Sequence, residues 1–166
     1  IAPSLVGSEM CIRDRPILAS TLLFDKPVVI ENLPRVRDID TMLNLIKSLG
    51  SKIKFSKNKK TVKIYKTKKQ NYFASYSLVK TMRAGILVLG PLISKYHKSI
   101  TSLPGGCLIG ARPVNFHLSA LKKLGMKYEI KKGYIHASSK GKLKGAKIKF
   151  SKISVGATEN SIIAAT

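Results

Sequence analysis

Two stretches of this chain repeat one another. Asp40-Thr41-Met42-Leu43-Asn44-Leu45-Ile46-Lys47-Ser48-Leu49-Gly50 leads into Ser51-Lys52-Ile53-Lys54-Phe55. Seventy-five positions on (40 to 115), Asn115-Phe116-His117-Leu118-Ser119-Ala120-Leu121-Lys122-Lys123-Leu124-Gly125 leads into Met126-Lys127-Tyr128-Glu129-Ile130. A repeat of this length means the chain is built from copies of one supersecondary unit. Ile39, Met42, Leu43, Ile46 and Leu49 share one helical face, as do Val114, Leu118, Leu121 and Leu124. Gly50 and Gly125 fall just past each helix, where glycine reaches the left-handed conformation at low cost. The following segments alternate. Ile53 and Phe55, Val62 and Ile64, Tyr128 and Ile130, and Ile148 and Phe150 are expected to face inward on strands, with lysines outward.

A second element precedes each copy. It is a short apolar helix, at Pro16–Leu23 and again at Thr81–Leu89, with a third version from Ser154 to Thr166. The order is therefore helix, strand, helix, strand, strand, twice over, followed by the opening of a third unit. The expected units span 16–66, 77–150 and 154–166. Residues 1–15 carry no lysine and no clean period, and read as a non-native segment; they are left out of the fold argument. With a third unit barely begun, the chain reads as part of a larger α/β domain.

Charge comes next. The chain of 166 residues holds 31 Lys and Arg against 8 Asp and Glu, a net +23. That balance suits polyanions. Yet 25 of the 31 are Lys and 6 are Arg, and the lysines are spread from Lys26 to Lys152 rather than clustered. Readers of nucleic acid lean on the bidentate geometry of Arg. A solvated Lys-rich surface is the plain reading, with an RNA-binding module as the alternative. No apolar run approaches the roughly 20 residues of a membrane-spanning helix. Two Cys and three scattered His have no metal-ligand spacing, and no disulfide framework is implied.

The stretch that points to chemistry is Leu103-Pro104-Gly105-Gly106-Cys107-Leu108-Ile109-Gly110-Ala111-Arg112-Pro113. Pro-Gly-Gly excludes a helix interior or a central strand. It marks a loop that displays one Cys, with Arg112 five residues on to favour the thiolate. A lone Cys is otherwise a small buried apolar residue. Asp38 and Asp40 read as capping groups for the first helix, and His117 as a structural residue one turn into the second; His97 and His136 have no partner in sequence.

LPGGCLIGARPVNFHL, with KTMRAGILVLGPL before it and SVGATEN after it, resembles the enolpyruvyl transferases, specifically the UDP-N-acetylglucosamine 1-carboxyvinyltransferase family of peptidoglycan synthesis. ILASTLLFDKPVVIENLPRVRDIDTMLNLIKSLG resembles that family's first repeat, so the likeness spans residues 16–166. The resemblance implies an α/β (α+β) fold of repeated βαβαββ units in an inside-out α/β barrel, here incomplete, with a second domain absent. It implies a cytoplasmic enzyme joining phosphoenolpyruvate to the 3′-hydroxyl of UDP-N-acetylglucosamine, with no metal or cofactor and no nucleic acid or membrane partner. Cys107 matches the family's catalytic general acid, which fosfomycin alkylates. Arg83 matches a nucleotide-sugar contact. Arg112, Pro113, Val114, Asn115 and Phe116 match the segment at the uridine end, and Lys152, Ile153, Ser154 and Val155 match another sugar-nucleotide segment.

Two departures stand out. Asn115 replaces the family's frequent Asp; it keeps an acceptor and adds a donor. The family's Lys-Asn pair ahead of the PILA helix, whose Lys binds phosphoenolpyruvate, gives way here to Arg13-Asp14-Arg15, onto which no role is carried. With half of the interdomain cleft missing, residues 1–166 alone are expected to be inactive. The rival within the fold is the enolpyruvyl transferase of aromatic biosynthesis, which has no Cys loop of this type.

Overall fold

The computed structural model describes residues 13–67, 69, 71–104 and 114–166. The repeat is present as topology. The first unit runs α1 (13–20, extended by a 3-10 turn, Thr21–Leu23), β1 (Val28–Ile30), α2 (Arg37–Ser48), β2 (Ser51–Phe55) and β3 (Val62–Lys66). A short link carries β4 (Phe73–Ala74) and α3 (Tyr76–Val79). The second unit then runs through a 3-10 segment (Arg83–Val88) into α4 (Leu89–Tyr96), β5 (Lys98–Ser102), α5 (Asn115–Lys123), β6 (Met126–Lys131) and β7 (Tyr134–Ser139). The last element is α6 (Val155–Ala165).

Both sheets are wound alike. The first has the order β1-β3-β2; the second has β5-β7-β6, with β4 added parallel along the outer edge of β5. In each, the last strand of the unit sits in the middle and pairs antiparallel on both sides. Ile30 and Phe55 flank Val62, and Thr101 and Ile130 flank Ile135. The two middle-strand residues are fully buried. Each helix before a hairpin ends as its sequence predicts. Leu49 and Leu124 are the C-caps, and Gly50 and Gly125 follow with φ of 103° and 104°. At those angles any other residue is strained.

Helices fill the centre and sheets lie outside. α1, α2, α3 and β3 share one apolar core; α5, β6, β7 and the end of α6 share another. The 3-10 segment and α4 divide them. Val88 and Leu92 face the first core while Leu89 and Ile93 face the second, and every residue from Gly85 to Ile93 is buried. A helix apolar all round can only be a central one. Among the described residues no helix is long and apolar enough to cross a membrane.

Three sequence expectations change. Phe55, Tyr128 and Ile130 lie on the inner side of β2 and β6, opposite Val62, Ala137 and Ile135, but are 49%, 38% and 50% exposed, each on a strand at the edge of its sheet. Residues 147–150 form no strand. Ile148 packs on the second core and Phe150 meets Phe116 edge-on at 6.2 Å, but no strand pairs with this segment among the described residues. Alternation reports which side chains are covered; a ladder also needs a neighbour. Asp38 and Asp40 lie inside the first turn of α2 rather than ahead of it, where they complement the helix dipole. Asp38 also pairs with Arg15 at 3.0 Å.

Lys52, Lys54 and Lys63 of the first sheet do face outward, whereas Lys66 falls on the face of Val62 and Ile64. Lys54 and Lys63 stand directly opposite each other, which like charges disfavour, and both lie over the ring of Tyr65, at 5.8 and 5.4 Å. One acidic residue ties three elements together. Asp25 bonds Lys66 of β3 and lies 2.9 Å from Lys95 of α4. The Lys66 and Lys95 hydrogen bonds hold its carboxyl down to about 2, against an ordinary value near ~3.9. A depressed folded-state value gives stability that is present above pH ~4 and lost as pH falls toward 2. Asp25→Asn is therefore expected to flatten the melting-temperature profile between about pH 4 and 2 relative to the parent. Identical profiles would show that this cluster contributes nothing.

Candidate functional site

α6 begins where the start of α5 and the 3-10 segment meet it, and most of the singled-out residues that are described lie at this end. Val114 is the N-cap of α5 and packs on the second core. Asn115 and Phe116 follow in its first turn, Asn115 exposed and Phe116 half-buried against Phe150. Lys152, Ile153, Ser154 and Val155 form the approach to α6. Lys152 is exposed, Ile153 is 98% exposed and Val155 is 61% exposed. Arg83 opens the 3-10 segment, which packs on α6. Cys107, Arg112 and Pro113 lie outside the described residues; by chain connection they fall between the end of β5 and the start of α5.

His117 is the element that joins these parts. Its ring rests against the first turn of α6: a Cβ placed on Gly156 would stand 3.4 Å from its Cε1. Its Nδ1 lies 3.1 Å from Asn160 Nδ2. Burial pushes its imidazole down to about 4, and the nearby Arg83 guanidinium adds to the effect. The ring is thus neutral at ordinary pH, and the Arg83 charge is felt at the same place. Its partner Asn160, which the sequence reading does not single out, is a fully buried polar residue in α6.

Asn160 repairs a break in the backbone. Where the 3-10 segment passes into α4, the α-helical partner of the Gly90 N–H is the Ile86 carbonyl, four residues back. Here the two are bridged by a side chain. The Gly90 N–H donates to Asn160 Oδ1 at 3.0 Å, and Asn160 Nδ2 donates to the Ile86 carbonyl at 3.3 Å. A signal for this residue existed in the sequence. Ala157, Asn160, Ser161 and Ala164 share one buried stripe of α6, and of its two polar residues Ser161 returns its hydroxyl to the Ala157 carbonyl, which leaves the Asn160 amide as the group needing partners from elsewhere.

Ser154 occupies the N-cap position of α6, and its hydroxyl makes no capping bond. A working Ser cap costs about 0.5–2 kcal/mol to remove. Ser154→Ala is therefore expected to leave the urea midpoint within the error of the parent. A loss of ~1 kcal/mol or more would show that the hydroxyl caps the helix after all. On the other side of this end, Arg15 pairs with Asp38, and its charge partly offsets the burial that raises the carboxyl of Glu159 in α6. The start of α1 therefore reaches the same region.

Comparison with known proteins follows from this geometry. The family model described as EPSP synthase (3-phosphoshikimate 1-carboxyvinyltransferase) matches residues 6–166. The chain belongs to this family. Among curated members of the EPSP synthase family, it is 63% identical over 150 residues to the UDP-N-acetylglucosamine 1-carboxyvinyltransferase of Pelagibacter ubique (strain HTCC1062), covering 90% of this chain and 36% of that protein. It is 48% identical over 151 residues to the protein of the same name from Coxiella burnetii (strain Dugway 5J108-111), covering 91% and 35%. The chain thus spans little more than a third of the length of the curated relatives it matches. Among solved structures, it superimposes on the enolpyruvyl transferase NikO from Streptomyces tendae with a TM-score of 0.74 at 14% identity, covering 90% of this chain and 35% of that one. EPSP synthase from Acinetobacter baumannii gives 0.65 at 16% identity, covering 89% and 35%. These likenesses carry the fold: repeated α/β units with helices inside and sheets outside, as in the enolpyruvyl transferases.

Proposed function

We propose that this chain supplies part of a UDP-N-acetylglucosamine 1-carboxyvinyltransferase. The observation that carries the reading is the 63% identity to a relative of that name across nine-tenths of the chain. The gathering of Arg83, Asn115, Phe116 and Ser154 at one end of α5 and α6 supports it. The relatives are much longer than this chain, so the activity is proposed for a protein of their length. Residues 1–166 by themselves are predicted to release no enolpyruvyl product. We assign the three units 16–66, 77–150 and 154–166 to the first domain of that protein, and the cytoplasm as its compartment.

In this reading the Cys107 thiol gives its proton to the methylene carbon of phosphoenolpyruvate. Positive charge then develops at the adjacent carbon, which the sugar 3′-hydroxyl attacks. The hydroxyl proton leaves, the methyl carbon of the tetrahedral ketal then gives up a proton as inorganic phosphate departs, and the enol ether remains. A thiol with an ordinary value near ~8.5 holds its proton at neutral pH and can still deliver it. Arg83 and Lys152 supply cationic contacts for the diphosphate. Ser154 offers a hydroxyl not spent on capping, at a helix start whose N–H groups favour an anion. Asn115 and Phe116, with Arg112, Pro113 and Val114, take the uridine end. No metal enters this chemistry.

The alternative within the family, transfer to a shikimate phosphate, goes with a loop that lacks the Cys. Fosfomycin labelling separates the two. The complete protein is expected to gain one fosfomycin adduct, mapped by peptide mass spectrometry to Cys107. An unlabelled Cys107 under conditions where a free thiol reacts would count against the proposal.

A further inference from the structure

Asn160 and His117 together fix a detail that neither the family likeness nor the sequence supplies: which ring nitrogen carries the proton. The orientation of the Asn160 amide is settled by two backbone groups whose roles cannot be exchanged. The Gly90 N–H can only donate, so the atom facing it at 3.0 Å is the amide oxygen. The Ile86 carbonyl can only accept, so the atom facing it at 3.3 Å is the amide nitrogen. The same nitrogen lies 3.1 Å from His117 Nδ1. Its second N–H must therefore be donated to that ring atom, and Nδ1 must be the acceptor.

We infer that Asn160 is a positioning residue. By closing its amide on Gly90, Ile86 and His117, it holds His117 as the Nε2–H tautomer and makes it a fixed hydrogen-bond donor at the start of α6. The donor edge of the ring, Cε1 and Nε2, is the one packed beside Gly156, at 3.4 and 3.6 Å from where a Cβ would stand. Gly156 directly follows the Ser154-Val155 pair assigned to the sugar nucleotide, so the donor serves that ligand's end of the site. This part of the inference rests on the enolpyruvyl-transfer reading; the tautomer itself does not. Burial keeps the ring neutral down to about pH 4, so the donor is a constant feature and not a switch.

The test has two parts, both on the complete protein. Nitrogen-15 spectra of the His117 ring are expected to show Nε2 protonated and Nδ1 bare in the parent. In Asn160→Asp, whose carboxylate accepts from the ring, Nδ1 is expected to be protonated. A parent spectrum with Nδ1 protonated overturns the inference. Kinetics then separate positioning from mere packing. His117→Gln places an amide N–H near the position of Nε2 and is expected to keep the KM for UDP-N-acetylglucosamine within about threefold. His117→Asn keeps an acceptor toward Asn160 but loses the donor, and is expected to raise that KM by tenfold or more, equivalent to about 1.4 kcal/mol. Equal KM values for the two variants overturn the donor role. If the parent neither binds nor uses UDP-N-acetylglucosamine, the functional reading fails, and the spectrum alone decides the tautomer.

Discussion

Gly90→Ala is expected to destabilise this protein by about 3 kcal/mol or more, or to prevent it from folding. A Cβ at this position would stand 2.3 Å from Asn160 Oδ1 and 2.7 Å from the Asn160 backbone oxygen. The second contact is with backbone, so no rotamer change relieves it. Overpacking a core costs roughly 1–3 kcal/mol. Forcing Asn160 aside also strands the buried Gly90 N–H, at roughly 1–3 kcal/mol for an unsatisfied group, while the Ile86 carbonyl keeps the Leu89 N–H. Gly145→Ala is the control, since a Cβ there meets nothing within 4 Å. Chemical unfolding of both variants against the parent checks this. Similar midpoints for all three would mean that the α4–α6 contact is looser than described. The effect would be felt widely, because α4 separates and supports both apolar cores.

Cys107→Ala is expected to remove the enolpyruvyl transfer proposed for the complete protein, by about 10²–10⁴-fold if the thiol's role is that of a general acid. Stability is expected to change little, since the sequence around Cys107, Pro-Gly-Gly before it and Gly-Ala-Arg-Pro after it, predicts a loop. Affinity for the sugar nucleotide is expected to survive, because its contacts are assigned to Arg83, Asn115, Phe116 and the start of α6. The measurement pairs a phosphate-release assay with direct binding of UDP-N-acetylglucosamine. A variant that keeps most of its rate would remove Cys107 from the chemistry. One that loses binding and rate together would make it a structural residue.

The repeat made most of this fold legible in the sequence. Leu-Gly at two helix ends and the Ile39, Met42, Leu43, Ile46 stripe are local signals, and local signals survive folding. The strands were legible as patterns but not as neighbours. Ile148 and Phe150 alternate as well as Val62 and Ile64 do, yet only the latter pair sits in a ladder. Pairing depends on which segment lies alongside, and period-two spacing carries no such information. Of the site, the motif residues were legible through resemblance. Asn160 was not singled out, because its partners, Gly90, Ile86 and His117, lie 43 to 74 residues away along the chain. A polar amide on the buried face of α6 was the available hint, and its meaning depended on a 3-10-to-α junction in another helix.

The most direct test of the central claim is a choice of acceptor. The complete protein would be given phosphoenolpyruvate with either UDP-N-acetylglucosamine or 3-phosphoshikimate, and the products followed by mass spectrometry together with released phosphate. The account predicts an enolpyruvyl ether of the sugar nucleotide, formed with one equivalent of phosphate, and no product from the shikimate. Product from 3-phosphoshikimate alone would contradict it.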